Sequence, residues 1–382
     1  MTHISLAHPD ITRREIKAVN QVLTSGRLAM GPFTQKFEQA MADYIGVKHA
    51  VAVNNGTAGL HLLIKILDLR DGDEVITSPF SFIASANAPI FERAEPIFCD
   101  IDPKTLCLNP AKIEAKITSK TKAILAIDVF GHPCDWTALQ KIASKHKLFL
   151  IEDSCEALGS TWHGKKCGSF GIAGVLAFYP NKQITTGEGG MIVTNSSRIA
   201  KLARALRNQG RLHSAWLKHD ILGYNYRLDE MSAALGAVQM SRLGEILSKR
   251  AKIARLYQTE LTKLNSELIV QRLSPLELPE SALGATVSWF VYVIRLAAGT
   301  KIAQRNAVLS TLNRRGIESR NYFPPIHLQP YYQKTFKYQA GDFPITEQIS
   351  ARTIALPFHH KLTKTQIVYI VHLIKQILTA KH

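Results

Sequence analysis

Apolar runs short enough for strands alternate with helix-period stretches through the first half of the chain. His49 to Val53 reads as a strand, and Asn54-Asn55-Gly56-Thr57 as a turn that carries helix-cap residues. Leu60, Leu63, Ile64 and Leu67 follow at the i, i+3, i+4, i+7 spacing that lays one apolar face along a helix. Glu74 to Thr77 is the next strand, and Pro79 is suited to opening a helix after it. Pro96 to Asp100, Ala123 to Asp128, Leu148 to Glu152, Val175 to Phe178 and Met191 to Thr194 add strands. Helical segments around Pro110–Ile117 and Trp136–Lys147 lie between them. This alternation predicts an α/β domain built on a largely parallel sheet.

The pattern changes after about residue 228. Asp229 to Ser248 reads as one long helix whose pattern resumes through Leu264. Val287 to Leu296 reads as a strand, and Lys301 to Arg315 and Thr363 to Leu378 as helices. The expected division is a large domain over residues 1–245 and a smaller C-terminal α+β domain over residues 246–382. A chain of 382 residues is long enough for two cores.

Composition narrows the class. Hydrophobic residues make up 46% and charged residues 20%, the balance of a soluble globular protein. No apolar run approaches the ~20 residues of a membrane span. Met1 to Asp10 lacks the basic-then-apolar order of a secretory signal. The five cysteines are odd in number and form no C-x-x-C pair, which fits free thiols in a reducing cytoplasm better than disulfides or a metal site. The net charge of +17 is spread over scattered residues rather than long basic arms. It reads first as a solvated surface, next as affinity for phosphorylated substrates, and last as nucleic-acid binding.

The chemistry centres on Phe178-Tyr179-Pro180-Asn181-Lys182-Gln183-Ile184-Thr185-Thr186-Gly187-Glu188-Gly189-Gly190. One lysine sits between an apolar strand and a Thr/Gly-rich turn whose glycines let the backbone approach a ligand. A partly desolvated lysine amine is a nucleophile suited to Schiff-base chemistry, although most lysines are solvated surface charges. Gly56 and Thr57 sit where a strand gives way to a helix, which is either an anion site or an ordinary cap. Asp153 ends an apolar strand, where a carboxylate can meet a ring N–H or serve as a helix cap. Phe82 follows another strand end and is either a ring-stacking aromatic or a core residue.

Together these residues resemble the DegT/StrS family of sugar aminotransferases, fold-type I enzymes that use pyridoxal 5′-phosphate. The resemblance runs from about Arg27 to Leu356, and Phe178–Gly190, with its Lys182-Gln183-Ile184-Thr185-Thr186-Gly187-Glu188-Gly189-Gly190 run, is its most specific part. It implies a large domain with a mainly parallel seven-stranded sheet between helices. It also implies that Lys182 forms the internal aldimine, that Asp153 meets the pyridine nitrogen and that Phe82 stacks on the ring. Asn55-Gly56-Thr57-Ala58 matches the phosphate cup. Gly223-Tyr224-Asn225-Tyr226-Arg227 matches the segment whose Asn, here Asn225, completes the phosphate site of a neighbouring subunit, so a homodimer with shared sites is implied. Two positions depart from the family. Ala177 stands where a serine is common, and Glu156 where a glutamine often lies near the ring hydroxyl.

The expected function is amino transfer from an amino acid, glutamate by resemblance, to a nucleotide-linked keto sugar in amino-sugar or surface-polysaccharide biosynthesis. The alternatives are a keto-cyclitol acceptor and a regulatory protein on the same fold that binds nucleic acid. Arg211, Arg227 and Arg320 are the candidates for the substrate's diphosphate. Tyr179, Tyr322 and His327 are the candidates for substrate contacts, the last two flanking Phe323-Pro324-Pro325. No metal, nucleic acid or membrane partner is expected.

Overall fold

The computed structural model describes residues 3–212 and 217–380. A seven-stranded sheet in the order β1-β9-β8-β5-β4-β2-β3 forms its centre. Its strands are β1 (His49–Val53), β2 (Glu74–Thr77), β3 (Glu95–Phe98), β4 (Thr121–Ile127), β5 (Phe149–Asp153), β8 (Ala173–Ala177) and β9 (Gly190–Thr194). β9 runs antiparallel to both of its neighbours, and all other neighbouring pairs are parallel. The mainly parallel α/β architecture expected from the sequence is therefore present. The short strands β6 (Thr161–Trp162) and β7 (Lys165–Lys166) pair with β10 (Ala285–Thr286) in a small sheet of their own.

The period-two alternation of side chains sends neighbouring residues of each strand to opposite faces. In β1, Val51 and Val53 join a cluster with Leu60, Leu63 and Ile64 of α3 (Gly56–Ile66). Ala50 and Ala52 join Phe37 and Met41 of α2 (Pro32–Ile45) on the other face. Around α3 pack α4 (Ala84–Phe91) and α7 (Ser197–Arg207). Trp136 and Leu139 of α6 (Trp136–His146) cover Ile76, Ile124 and Leu150, with the short α5 (Pro110–Ile113) alongside. α1 (Arg13–Ser25) and α2 both lie on α8 (Glu230–Ser241). A sheet buried on both faces leaves its strand ends as the natural openings for a ligand.

A second core forms where α9 (Leu243–Val270), α10 (Ile302–Arg314) and α13 (Lys364–Thr379) enclose the two-stranded sheet of β11 (Tyr292–Arg295) and β12 (Thr353–Leu356). α11 (Pro330–Phe336) and α12 (Pro344–Ser350) precede β12. Residue 245 falls in the first turn of α9, which gives Ile246 to the core of the large sheet and Tyr257, Leu261 and Leu264 to the second core. Ile4, at the start of the chain, also joins the second core and bridges to Ile317.

Three local expectations are corrected. The single helix expected over 229–248 breaks at Arg242, whose φ of −111° and ψ of 5° separate α8 from α9. Its guanidinium is held by Asp10 and Glu15. The strand expected over 287–296 is shortened to β11, because the backbone of 288–290 is bonded to side chains elsewhere. Pro79 does not open a helix. Its carbonyl accepts the Ile326 N–H at 2.8 Å, and α4 begins only at Ala84. None of the described helices is long and apolar enough to cross a membrane.

Candidate active site

The carboxyl ends of β1, β4, β5 and β8 open into a cleft of about 1000 Å³. Asp153, the last residue of β5, lies in its wall and is 5% exposed. A buried carboxylate must be met by donors. Ser85, in the first turn of α4, donates its hydroxyl to Asp153 Oδ2 at 2.6 Å, and the Cys155 N–H donates to Oδ1 at 3.2 Å.

Lys182 reaches the same cleft from the turn that joins β8 to β9. Backbone bonds fix that turn: Phe178 N–H to Gly189 O, and Thr186 N–H to Phe178 O, both at 2.9 Å. Gly187 takes a φ of +81°, a left-handed conformation that favours glycine. Gly190 lies so close to the Asn55 carbonyl that a Cβ there would collide with it. That contact locks the end of the lysine turn to the start of α3. Lys182 Nζ stands 3.4 Å from Glu156 Oε1 and 4.0 Å from the centroid of the Phe290 ring. The other oxygen of Glu156 accepts the Phe130 N–H at 2.8 Å. Burial pushes the Glu156 carboxyl up from its ordinary value, and the Lys182 ammonium opposes that rise.

The third wall is the N-terminus of α3. Asn55 caps it by accepting the Ala58 N–H at 2.8 Å. The first N–H groups of a helix have no partner inside it and, with the helix dipole, make an anion cradle. Gly56 keeps the cradle open, since a Cβ there would lie 2.9 Å from both Ala177 Cβ and Cys155 Sγ. Ala177 is thus packed beneath the cradle. These residues fit pyridoxal phosphate. A carboxylate held by two donors suits the ring nitrogen, a lysine in the same cleft suits the carbonyl, and an open helix N-terminus suits the phosphate.

Of the residues expected from the sequence, Gly56, Thr57, Phe82, Asp153, Glu156, Tyr179, Lys182 and Tyr322 all line this cleft. Phe82 and Tyr179 are 61% and 52% exposed, on its rim. Asn225 is exposed and outside the lining, bridged to Asn208. Arg227 donates to Asn208 Oδ1 at 2.9 Å, and Arg320 pairs with Glu318 at 3.3 Å, both outside the lining. Arg211 also lies outside it, beside residues 213–216, which are outside the described set. His327 departs furthest from expectation. Its side chain is fully buried and bonds Glu347 at 3.0 Å away from the cleft, and burial lowers its pKa.

Sequence reasoning missed Ser85 and Phe290, and also Tyr226, whose hydroxyl meets His61 Nδ1 at 3.1 Å in the cleft wall. Ser85 carried no signal of its own, because Phe82, three residues earlier, lies before α4 begins. Phe290 carried none.

Residues 9–375 match the DegT/DnrJ/EryC1/StrS aminotransferase family. The chain belongs to that family. As a member it is a pyridoxal phosphate-dependent transaminase. This aminotransferase is 37% identical over 379 residues to a GDP-perosamine synthase of Caulobacter vibrioides, covering 99% of each chain. It is 34% identical over 377 residues to a UDP-N-acetyl-3-dehydro-alpha-D-glucosamine 3-aminotransferase of Acidithiobacillus ferrooxidans, covering 97% of this chain and 96% of that one. Among solved structures, PseC of Helicobacter pylori, an aminotransferase of pseudaminic acid biosynthesis, superposes with a TM-score of 0.91 at 29% identity over 99% of both chains.

Proposed function

We propose that this aminotransferase moves an amino group from glutamate to a keto sugar carried on a nucleoside diphosphate, in amino-sugar and polysaccharide biosynthesis. The convergence of Lys182 and Asp153 on one cleft with the α3 N-terminus carries the reading. Relatives named for GDP- and UDP-linked sugars support the acceptor class and leave the nucleotide open.

Lys182 is the residue we assign to the covalent link with pyridoxal phosphate. Asp153 would face the ring nitrogen, Phe82 the ring, and Gly56 and Thr57 the phosphate. When bound, the cofactor supplies a carbonyl that condenses with amines and a protonated ring that accepts an electron pair. The chain's own residues do the rest. Lys182 Nζ would take the proton from the donor's Cα and hand it back at the neighbouring carbon that gains it. Asp153, oriented by the Ser85 hydroxyl and the Cys155 N–H, would accept the ring N–H.

Charge supports a shared site. Among the described residues of the lining, Asp153, Glu156 and Glu188 face a single lysine, and His61 is paired to Glu92 at 2.9 Å. A phosphate-bearing cofactor and a diphosphate-bearing substrate therefore need cations and donors from beyond this wall. We assign these to Asn225 of a second copy in a homodimer, and to Arg211, Arg227 and Arg320 outside the lining. Tyr179 and Tyr322 would meet the sugar.

The test is the half-reaction of the aminated enzyme with nucleotide-linked and free keto sugars. The linked sugar should react far faster, because binding of the remote nucleotide positions the reacting carbon. Equal rates would favour a non-nucleotide acceptor such as a keto-cyclitol.

A further inference from the structure

The Lys182 ammonium has two close neighbours of opposite kind, a carboxylate and an aromatic face. Glu156 Oε1 is 3.4 Å away and the Phe290 centroid 4.0 Å. A ring face attracts a cation through its quadrupole, and more strongly where water is excluded. Here the lysine side chain is 13% exposed and Phe290 2%.

The ring belongs to a segment tied down on several sides. Arg250, itself buried, donates Nε to the Trp289 carbonyl at 2.7 Å and Nη2 to the Phe290 carbonyl at 2.6 Å. Gln183, the residue after the lysine, donates Nε2 to the Ser288 carbonyl at 3.0 Å and to the Glu156 carbonyl at 2.5 Å. The Ser288 N–H donates to Ser160 Oγ at 3.0 Å. The lysine turn, the Glu156 backbone and the Phe290 segment are therefore joined through one side chain, Gln183. This arrangement has a cost. Arg250 is spent on two carbonyls, with burial pulling its guanidinium down to about 10.

We propose that Glu156 and Phe290 form a seat for the Lys182 ammonium, and that Phe290, Arg250 and Gln183 are positioning residues that keep it beside the reacting carbon while it carries the proton from one carbon to the other. Lysine is a flexible side chain, and fixing its amine raises its effective concentration at the atom it must reach. The proposal rests on Lys182 being the cofactor lysine. It also gives the glutamate at position 156 a purpose that a glutamine would serve less well, since only a carboxylate pairs with an ammonium.

Competitive labelling tests it with the full-length protein after any bound cofactor has been converted to its amine form with glutamate and dialysed away. Trace acetic anhydride acetylates lysine amines, and peptide mass spectrometry gives the rate at Lys182 relative to the exposed Lys17. A seated ammonium reacts slowly. Phe290→Leu should raise the Lys182/Lys17 ratio by about 2- to 30-fold, the range expected for loss of a cation–π contact. Glu156→Gln should raise it as well, while Phe290→Tyr, which keeps the ring face, should hold the wild-type ratio. Should Phe290→Leu lose its cooperative unfolding transition, Phe290→Met takes its place. Unchanged ratios in the leucine and glutamine variants, or an equal rise in the tyrosine and leucine variants, would overturn the seat. Pyridoxal phosphate added beforehand should protect Lys182 of the wild type. Failure of that protection would sink the assignment of Lys182 itself, whereas protection with unchanged ratios sinks the seat alone.

Discussion

The Ser85 hydroxyl stands 2.6 Å from Asp153 Oδ2, joining the first turn of α4 to the last residue of β5. It fixes the orientation of the carboxylate that would face the ring nitrogen. A hydrogen bond to a charged group is worth about 1.5–3 kcal/mol. Ser85→Ala should therefore weaken cofactor binding on the order of tenfold, read by absorbance titration, and lower kcat at saturating cofactor. An unchanged affinity and kcat would show that the Cys155 N–H suffices to hold Asp153.

His359 predicts a pH dependence of stability. It is 6% exposed and packs beside the His8 ring and the Ser5 backbone. Burial, with the neighbouring His8 and His360, pulls its pKa down to about 4 from an ordinary 6.5. Between those values the unfolded chain binds the proton and the folded chain does not, so stability falls as pH drops through 6.5 towards 4. The full drop from this group is roughly 3 kcal/mol. Urea midpoints measured across that window should decline for the wild type and flatten for His359→Gln. Equal slopes for the two proteins would assign the pH dependence to other groups.

Much of the large sheet was legible. β1 and β2 coincide residue for residue with their expected strands, because both are apolar runs bounded by turn residues. The lysine turn, Asp153 and the α3 cap could be located in the same way, while their roles came from the resemblance. Each sits at the boundary of a regular element, where local sequence decides the structure. The rest depended on distant partners. Arg242 breaks a helix while bound to residues more than 220 positions earlier. Phe290 reaches Lys182 because Arg250 and Gln183 hold its segment. The burial of His327 against Glu347 comes from tertiary packing, which a lone histidine beside prolines does not announce.

Shared sites predict complementation. Lys182→Ala should be inactive in its own cleft yet retain Asn225 for a partner. Asn225→Asp should retain Lys182 while placing a carboxylate at the phosphate, which repels it. Mixing the two after verified subunit exchange should restore activity, because one composite cleft then holds both native residues. No recovery would mean that Asn225 acts outside the cofactor site, as its bridge to Asn208 would then suggest.

The central claim is that Lys182 carries pyridoxal phosphate. Borohydride reduces a lysine–cofactor imine to a stable secondary amine, which survives proteolysis and is located by peptide mass. The reduced enzyme should carry the adduct on the peptide containing Lys182, and Lys182→Ala should carry none while keeping its fold. An adduct on any other lysine, or an undiminished adduct in Lys182→Ala, would contradict the account.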